Sequence, residues 1–288
     1  MDGAAAPADG LVRPHLTGLP IYKMTGSGND FVFVDGRASA PADWSVEDIR
    51  AVCARGTGIG ADGIVFVAPG SASGAVRMTY FNSDGSRAAM CGNAALCSTQ
   101  FAARLGITGG QEMRLETDAG AYESRCVAGE RAELRLEPIA APAAVPGLAV
   151  QDGEQRAALG IVGVPHLIVL VADVDRVDLG PRGRALRCDR AVGPEGANVN
   201  FVSAAASPGE WRMRTYERGV EAETLACGTG AVAVACALRE WGLAQLPLVI
   251  WTRSGRQLHV NARKAPSGGY EAVWLAGEAR LVFRGVIS

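Results

Sequence analysis

Residues 80–97 read YFNSDGSRAAMCGNAALC, and residues 216–231 read YERGVEAETLACGTGA. Each stretch leaves a strand-like run, crosses a polar connection of about ten residues, and reaches Cys-Gly at the start of an alanine-rich helical pattern. The two cysteines, Cys91 and Cys227, are 136 residues apart, which is nearly half of the 288-residue chain. Such a repeat predicts two like domains that arose by gene duplication.

Further positions match at the same offset of 136 residues. They are Thr79 with Thr215, Tyr80 with Tyr216, and Ala95 with Ala231. Chance matching is the alternative in a chain rich in alanine and glycine. If a pseudo-twofold axis relates the halves, both Cys-Gly helix starts face one cleft between the domains, where ligand sites commonly form.

Short apolar runs separated by glycines predict strands throughout the chain, and three segments have helical periodicity. The main predicted strands are residues 31–34, 64–67, 77–81, 134–136, 167–171, 211–216, 248–251 and 279–283. The predicted helices are residues 46–55, 92–105 and 228–241. Strands and helices do not alternate strictly, so the predicted fold class is α+β and not a Rossmann-type α/β fold.

The composition indicates a globular protein with room for two domains, since 48% of the residues are hydrophobic and 20% are charged. The net charge is -2 and there is no basic run, which argues against a nucleic-acid partner. The longest apolar run, residues 161–174, is too short for a bilayer and predicts a buried strand, so no membrane partner is expected. Residues 1–18 lack a targeting pattern and predict a disordered leader on a cytoplasmic protein.

Cofactor and metal sites have few candidate ligands in this chain. The seven cysteines are an odd number without a Cys-x-x-Cys pair, which is typical of free thiols in a reducing compartment. The histidines His15, His166 and His259 are not at metal-ligand spacing from one another, so no metal is expected. Only Lys23 and Lys264 could form a Schiff base with pyridoxal phosphate, and neither lies in a site motif. We therefore expect no cofactor.

Two cysteines at helix starts suit proton transfer at a carbon atom. The partial positive charge of a helix N-terminus is expected to lower a thiol pKa towards neutrality. The backbone amides of Gly92, Asn93, Gly228 and Thr229 would form an anion site for a carboxylate. Inverting a stereocentre requires a base on one face and an acid on the other, which two sulfurs about 7 Å apart can provide.

Two other interpretations of these cysteines stay open at this point. Free cysteine is among the most buried residue types, so both thiols are compatible with a purely structural role at tight helix starts. A redox pair or peroxide sensor is the other alternative. The equivalent positions in the repeat, each followed by glycine, favour a functional pair.

With these motifs the chain resembles the diaminopimelate epimerases, which are cofactor-independent two-thiol racemases and epimerases. The matching segments, in family order, are residues 23–35, 56–63, 80–97, 165–166, 197–202 and 216–231. The resemblance implies two pseudo-symmetric domains, each a β-barrel-like sheet around a central helix, with the active site in the cleft between them. The expected division is a leader at 1–18, a first domain at 19–136 to which a strand at 276–288 returns, and a second domain at 137–275.

The resemblance also implies a role for each matching residue. Cys91 and Cys227 would be the acid–base pair, one as thiolate and one as thiol. His166 and Glu217 would adjust the thiol pKa values, and Asn29 would hold the reacting amino group together with Glu217. The other implied contacts are Gly92, Asn93, Gly228 and Thr229 at the reacting carboxylate, and Asn82, Asn198 and Arg218 at the distal end of the substrate.

Three departures from the family pattern concern the substrate. The usual Asn-Pro-His is Val164-Pro165-His166 here, which removes a hydrogen-bond donor to the distal carboxylate. The loop at 217–224 is one residue longer than usual, and residues 91–97 lack the usual arginine and one glycine. All of the implied proton-transfer residues are nevertheless present.

The implied activity is the pyridoxal-independent conversion of LL-diaminopimelate to meso-diaminopimelate, with a small-molecule amino-acid substrate as the partner. The departures leave another amino-acid substrate open, for example histidine or a building block of a peptide natural product. An inactive binding protein of the same fold is a further alternative, and so is an isomerase of the phenazine type. A homodimer is one alternative for the assembly.

Overall fold

The computed structural model of the protein describes residues 14–288. These residues form one continuous sheet with four α-helices. The strands are β1 (Pro20–Gly26), β2 (Asn29–Asp35), β3 (Gly63–Pro69), β4 (Ala75–Asn82), β5 (Arg87–Ala88), β6 (Glu112–Thr117), β7 (Gly120–Val127), β8 (Arg131–Leu136), β9 (Ala143–Ala144), β10 (Glu154–Val162), β11 (Val164–Val171), β12 (Asn198–Ala204), β13 (Glu210–Glu217), β14 (Ala222–Thr224), β15 (Leu248–Trp251), β16 (Gln257–Lys264), β17 (Tyr270–Glu278) and β18 (Arg280–Val286). The helices are α1 (Val46–Cys53), α2 (Gly92–Arg104), α3 (Leu179–Arg187) and α4 (Gly228–Glu240).

The order of strand pairing is the same in both halves of the chain. In the first half β1 pairs antiparallel with β2, β2 parallel with β3, β3 antiparallel with β4, and β4 parallel with β6. In the second half β10, β11, β12, β13 and β15 repeat these pairings with the same orientations. Helices α1 and α2 make the parallel crossovers of the first half, and α3 and α4 make those of the second. The predicted α+β fold with two like halves is confirmed.

One helix lies inside each half and one lies outside. Most side chains of α2 and α4 are buried, because both helices are rich in alanine and are surrounded by strands. The short side chains allow the sheet to close tightly around each helix. Helices α1 and α3 instead cover the outer face of the parallel strand pairs, where separate hydrophobic clusters form.

The last two strands join the halves. Strand β17 pairs with β16 of the second half and with β8 of the first, and β18 pairs with β1. The return of the C-terminal chain to the first half therefore begins within β17, and the expected boundary at 275/276 falls inside that strand.

The apolar run at 161–174 is not one buried strand. Strand β10 ends at Val162, Gly163 has φ 71°, and β11 begins at Val164. The prediction was wrong because glycine adopts this left-handed conformation readily and allows a tight turn inside an apolar run. The turn makes His166 the third residue of β11, close to the start of that strand.

The start of the described chain is folded. The predicted leader covers residues 1–18, of which residues 1–13 lie outside the described residues. Residues Pro14–Leu16 form a short 3₁₀ helix, and the Leu16 side chain is buried in the cluster under α1. Gly18 N donates to Ile287 O at 2.8 Å. No helix within residues 14–288 has the length and apolar character needed to cross a bilayer.

The matches between strands β4 and β13 are displaced by one residue. Tyr80 pairs with Val65, whereas the residue at the same place in the second half, opposite Asn200, is Thr215. Tyr80 therefore packs in the core around α2, while Tyr216 packs in the outer cluster under α3. The offset of 136 residues holds for the two Cys-Gly helix starts but not for the preceding strands, because the connection in the second half is one residue longer.

Candidate active site

The two thiols occupy equivalent places in the two halves. Cys91 is the N-cap residue of α2 with φ -140° and ψ 119°, and Cys227 is the N-cap residue of α4 with φ -134° and ψ 106°. Both are in the extended conformation that an N-cap residue adopts just before a helix. Cys227 is 8% exposed and Cys91 is half-buried, and both are free thiols.

The expectation that the helix N-termini bring both thiol pKa values towards neutrality is wrong. Burial raises the pKa of Cys227 to about 12 and also raises the pKa of Cys91. The negative charge of Glu217 adds to both increases, while backbone N–H groups at the helix starts act in the opposite direction. Loss of solvation is the larger effect, because a thiolate buried in protein loses strong hydration.

The charge of Glu217 influences the pKa values of both thiols. Glu217 is the last residue of β13, and burial raises the pKa of its carboxyl group, with the nearby Thr224 hydroxyl acting the other way. The two thiols also influence each other, because the charge of Cys91 contributes to the raised pKa of Cys227. The structure thus brings these three predicted residues together.

His166 is fully buried on β11 and has polar support behind it. Burial is the main cause that lowers its pKa to about 3, with a smaller contribution from the charge of Arg218. Asn200 Nδ2 lies 3.3 Å from His166 Nδ1 and 3.4 Å from Leu167 O, and Asn200 Oδ1 accepts from Thr215 Oγ1 at 2.9 Å. Because Leu167 O can only accept, Nδ2 is a donor, and the imidazole proton lies on Nε2. No residue within 14–288 accepts from this buried Nε2.

The sequence analysis missed Asn200 and Thr215. The sequence does contain a signal for Asn200, because Asn198 and Asn200 are two residues apart in a strand and therefore lie on one face of β12. Asn198 is also the direct neighbour of His166 in the parallel pairing of β11 with β12. Thr215 belongs to the next strand, and only the pairing of β12 with β13 brings its hydroxyl to Asn200.

Asn29 and Asn93 are in contact at the start of α2. Asn93 Nδ2 donates to Asn29 Oδ1 at 2.7 Å. The end of β1 packs closely on the helix here, since a Cβ atom on Gly26 would lie 2.9 Å from Asn93 O and 2.9 Å from Cys97 Sγ. Asn29 Nδ2 also donates to Asp62 Oδ2 at 2.9 Å. Asp62 belongs to the matching segment 56–63 but was not singled out from the sequence.

The glycines after the two cysteines differ in their surroundings. A Cβ atom on Gly228 would lie 2.7 Å from Leu275 Cδ2, and one on Gly230 would lie 2.4 Å from Asn200 Oδ1 and 3.1 Å from Cys227 Sγ. A Cβ atom on Gly92 would meet nothing within 4 Å. The start of α4 is therefore more tightly enclosed than the start of α2. The prediction that the backbone amides of both helix starts bind a carboxylate stays a prediction.

The arrangement of this site can be compared with known proteins. The sequence model of the diaminopimelate epimerase family matches residues 21–135 and 160–273, which is most of both halves. The chain belongs to the diaminopimelate epimerase family. Among its relatives are the diaminopimelate epimerases of Gemmatimonas aurantiaca, 48% identical over 94% of this chain and 99% of that one, and of Aquifex aeolicus, 40% identical over 94% and 98%.

Solved structures with a similar fold are more distant in sequence. A phenazine biosynthesis protein of the PhzF family from Bacillus anthracis has TM-score 0.73 at 15% identity, covering 94% of this chain and 99% of that one. A probable proline racemase from Agrobacterium radiobacter K84 has TM-score 0.61 at 17% identity, covering 94% and 93%. These likenesses show the fold that the diaminopimelate epimerase family shares with other proteins.

The residues implied for the distal end of a diaminopimelate epimerase substrate have local partners here. Asn198 Oδ1 accepts from Arg218 N at 2.8 Å, and Arg218 Nη1 lies 3.2 Å from Glu195 Oε2. Asn82, at the end of β4, donates from Nδ2 to Ser86 Oγ at 3.0 Å. Val164 is the first residue of β11.

The loop at 217–224, which the sequence analysis finds one residue longer than the family pattern, forms a tight hairpin between β13 and β14. Glu221 N donates to Glu217 O at 2.8 Å, and Glu221 itself has φ 57°, a conformation that is unfavourable for a residue with a side chain. Its carboxylate accepts from Gly219 N at 3.1 Å and from Arg187 Nε at 3.0 Å. The extra residue is thus accommodated in the turn, and Glu217 remains at the end of its strand.

Proposed function

We propose that this protein is a diaminopimelate epimerase that converts LL-diaminopimelate to meso-diaminopimelate without a cofactor. The observation that carries the proposal is the matched pair of Cys-Gly helix starts, one in each half, with nearly the same backbone conformation. Relatives up to 48% identical along almost the whole chain are diaminopimelate epimerases. No observation favours histidine, another amino acid or a binding protein without activity.

In the proposed reaction one cysteine acts as a thiolate and the other as a thiol. The thiolate takes the α-proton, the electron pair stays on the α-carbon, and the second thiol delivers a proton to the opposite face. Cys91 and Cys227 exchange these roles when the reaction runs backwards. The sulfur that donates becomes a thiolate and the one that accepted is a thiol, so the protein returns with the same number of protons.

The helix starts bind the reacting carboxylate in this proposal. Backbone amides of Gly92, Asn93, Gly228 and Thr229 donate to its oxygens. The partial positive charges of α2 and α4 then stabilise the negative charge that spreads from the α-carbon into the carboxylate. A fixed set of amide donors needs no rearrangement during proton transfer, which is why helix termini suit this task.

Glu217 and Asn29 bind the α-ammonium group. The negative charge of Glu217 is one reason for the raised pKa values of both thiols. An ammonium group next to that carboxylate offsets its charge, so substrate binding lowers the pKa of the thiols. A thiolate is then easier to form when the substrate is in place, which limits side reactions of a free thiolate.

His166 supports the thiols as a neutral donor. With a pKa of about 3 it carries no charge at neutral pH, and its proton lies on Nε2. A neutral N–H group stabilises a nearby thiolate without binding it as tightly as a cation would. The role of His166 is therefore to adjust the thiol pKa together with Glu217.

The distal amino-acid group of the substrate is bound by Asn82, Asn198 and Arg218. The ion pair of Arg218 with Glu195 is no obstacle, because the Glu195 side chain is 77% exposed and such surface pairs stabilise little. Val164 provides no hydrogen bond at this end, so the three polar residues carry the recognition.

The same proposal includes the cellular setting and the division of the chain. All seven cysteines are free thiols, which suits the cytoplasm, where thiols stay reduced. We place the domain boundary between residues 136 and 137, with the strand at 276–288 returning to the first domain, as its pairing with β1 supports.

The α-proton exchange of candidate substrates in deuterium oxide tests this function. Proton NMR under reducing conditions should show loss of the α-proton signals of LL- and meso-diaminopimelate, because the thiols exchange protons with solvent. Histidine and other free amino acids should keep theirs. Absence of α-proton exchange with both diaminopimelate isomers would overturn the proposal. Exchange of the α-proton of another amino acid would identify that amino acid as the substrate instead.

A further inference from the structure

Asp62 lies directly behind Asn29 and accepts three hydrogen bonds. Its Oδ2 accepts from Asn29 Nδ2 at 2.9 Å and from Asp30 N at 3.2 Å. Its Oδ1 accepts from Arg55 Nη2 at 2.8 Å. Asp62 is the residue just before β3, so its carboxylate stands at the end of the sheet where Asn29 begins β2.

The carboxylate determines which way round the Asn29 amide is held. An ionised carboxylate has acceptors only, so the group of Asn29 that faces Asp62 has to be the NH₂ group. The carbonyl oxygen Oδ1 of Asn29 then points to Asn93, where only a donor fits, and Asn93 Nδ2 occupies that place at 2.7 Å. The orientation of Asn93 is thereby determined too.

The far end of this chain of hydrogen bonds is a free acceptor. Asn93 is 5% exposed, and its Oδ1 atom is buried without a hydrogen-bond partner among residues 14–288. A buried amide oxygen without a partner costs free energy, so such atoms in folded proteins usually have a task. The most direct partner for an acceptor at this place is a donor of a bound ligand.

We infer that Asp62 is a positioning residue that holds the Asn29–Asn93 pair so that the free Asn93 Oδ1 and the second lone pair of Asn29 Oδ1 can accept from the α-ammonium group of the substrate. This inference rests on the proposed function. If Asp62 is removed, both amides can turn over, and NH₂ groups then face a cation that needs acceptors. Asp62 itself does not contact the substrate.

A purely structural role is the competing explanation, because Asp62 also belongs to an ion-pair cluster. Arg55 bridges Asp62 and Asp30, and Lys23 binds Asp30 from the other side. The Arg55 side chain is 62% exposed, so its pairs should stabilise little. Arg55 is therefore a suitable control, since its removal breaks the ion pair but leaves Asn29 bound to Asp62.

Three variants separate the explanations: Asp62→Ala, Asp62→Asn and Arg55→Ala. Asp62→Ala removes the acceptor and should raise KM for LL-diaminopimelate by about tenfold or more, with a smaller change in kcat. Asp62→Asn keeps one acceptor oxygen, which is sufficient because Asn29 and Asp30 donate to the same oxygen. The KM of Asp62→Asn should therefore stay within about threefold of the wild-type value. Arg55→Ala should also stay within about threefold.

Circular dichroism and thermal unfolding establish first that each variant is folded, and Asp62→Leu replaces Asp62→Ala if the latter does not fold. The inference is overturned if Asp62→Ala or Asp62→Leu keeps the wild-type KM. It is also overturned if Asp62→Asn or Arg55→Ala is as impaired as Asp62→Ala, because charge pairing would then be the cause. A wild-type protein without activity on diaminopimelate contradicts the proposed function instead, so the two failures are distinguishable.

Discussion

The two halves of the molecule share their pairing order but differ in what stands beside each thiol. The strand pairings identify three equivalent positions on β2, β3 and β4 and on β11, β12 and β13. These positions hold Phe31, Val65 and Tyr80 in the first half and His166, Asn200 and Thr215 in the second. The first set packs by aromatic contact, with the Phe31 and Tyr80 rings 5.9 Å apart, whereas the second forms hydrogen bonds.

The difference extends into the helix start that each set supports. The third residue of α2 is Ala94, but the third residue of α4 is Gly230, where a Cβ atom would lie 2.4 Å from Asn200 Oδ1. The amide of Asn200 takes the space that a methyl group occupies in the first half. A symmetric pair of thiols is thus held by an apolar support on one side and a polar one on the other.

The largest effect is expected from breaking the pair of thiols itself. Cys91→Ala and Cys227→Ala should each lower kcat/KM for LL-diaminopimelate by about a thousandfold or more, because each removes one of the two proton-transfer groups. Activity is followed by circular dichroism or NMR of the product. Cys188→Ala is the matched control, since Cys188 is an exposed free thiol at the C-terminal end of α3. Full activity in either single variant would contradict the two-base mechanism.

The second-largest effect should follow when Asn200 is replaced by valine, which is the residue at the equivalent position, Val65, in the first half. Asn200→Val leaves the Thr215 hydroxyl and the His166 ring buried without partners, which should lower the free energy of unfolding by about 2–4 kcal/mol. Urea unfolding measures this. Adding Thr215→Val removes one of the orphaned groups, so the double variant should be less unstable than the sum of the two changes. A simple sum would mean that the two residues are not coupled.

The polar support should also make the second half sensitive to acid. The His166 pKa is about 3 in the folded protein against 6.5 ordinarily, so between these values the unfolded chain binds one more proton. The free energy of unfolding should therefore fall by up to about 1.4 kcal/mol per pH unit as the pH decreases from 6 to 5.

His166→Gln should remove most of this slope, as Phe31 at the equivalent place has no proton to gain. Urea unfolding at several pH values between 5 and 6.5 gives the slopes. His259→Gln serves for comparison, because burial also lowers the pKa of His259, but that ring is only half-buried. If the free energy of unfolding of His166→Gln fell as steeply with decreasing pH as that of the wild type, His166 would not be the cause of the acid sensitivity.

The smallest effect is expected at the glycine that faces Asn200. Gly230→Ala should lower the free energy of unfolding by about 1 kcal/mol, since overpacking against Asn200 and Cys227 exceeds the gain in helix propensity. Gly92→Ala, which has open space around the added methyl group, should be neutral or slightly stabilising. Thermal unfolding compares the two. Equal stability changes would mean that the two helix starts are enclosed alike.

Much of the secondary structure around the site could be predicted from local sequence. The predicted helices at 92–105 and 228–241 differ from α2 and α4 by one residue at the C-terminal end. Helix α3 was not predicted, because Gly180, Pro181 and Gly183 interrupt its pattern. Pro181 is tolerated since it lies in the first turn, where the missing N–H group has no intrahelical partner. Gly183 is required because a Cβ atom there would lie 2.6 Å from Tyr216 Cβ and 2.7 Å from Tyr216 Cγ.

By itself the sequence determined the repeat, the two Cys-Gly helix starts and the family, because these depend on short segments whose meaning is local. Tertiary structure alone decided which side chains support them. A shift of one residue turns a strand side chain to the opposite face, so Tyr80 corresponds to Thr215 and not to Tyr216. It also decided the thiol pKa values, because burial depends on the whole fold and here outweighs the helix termini.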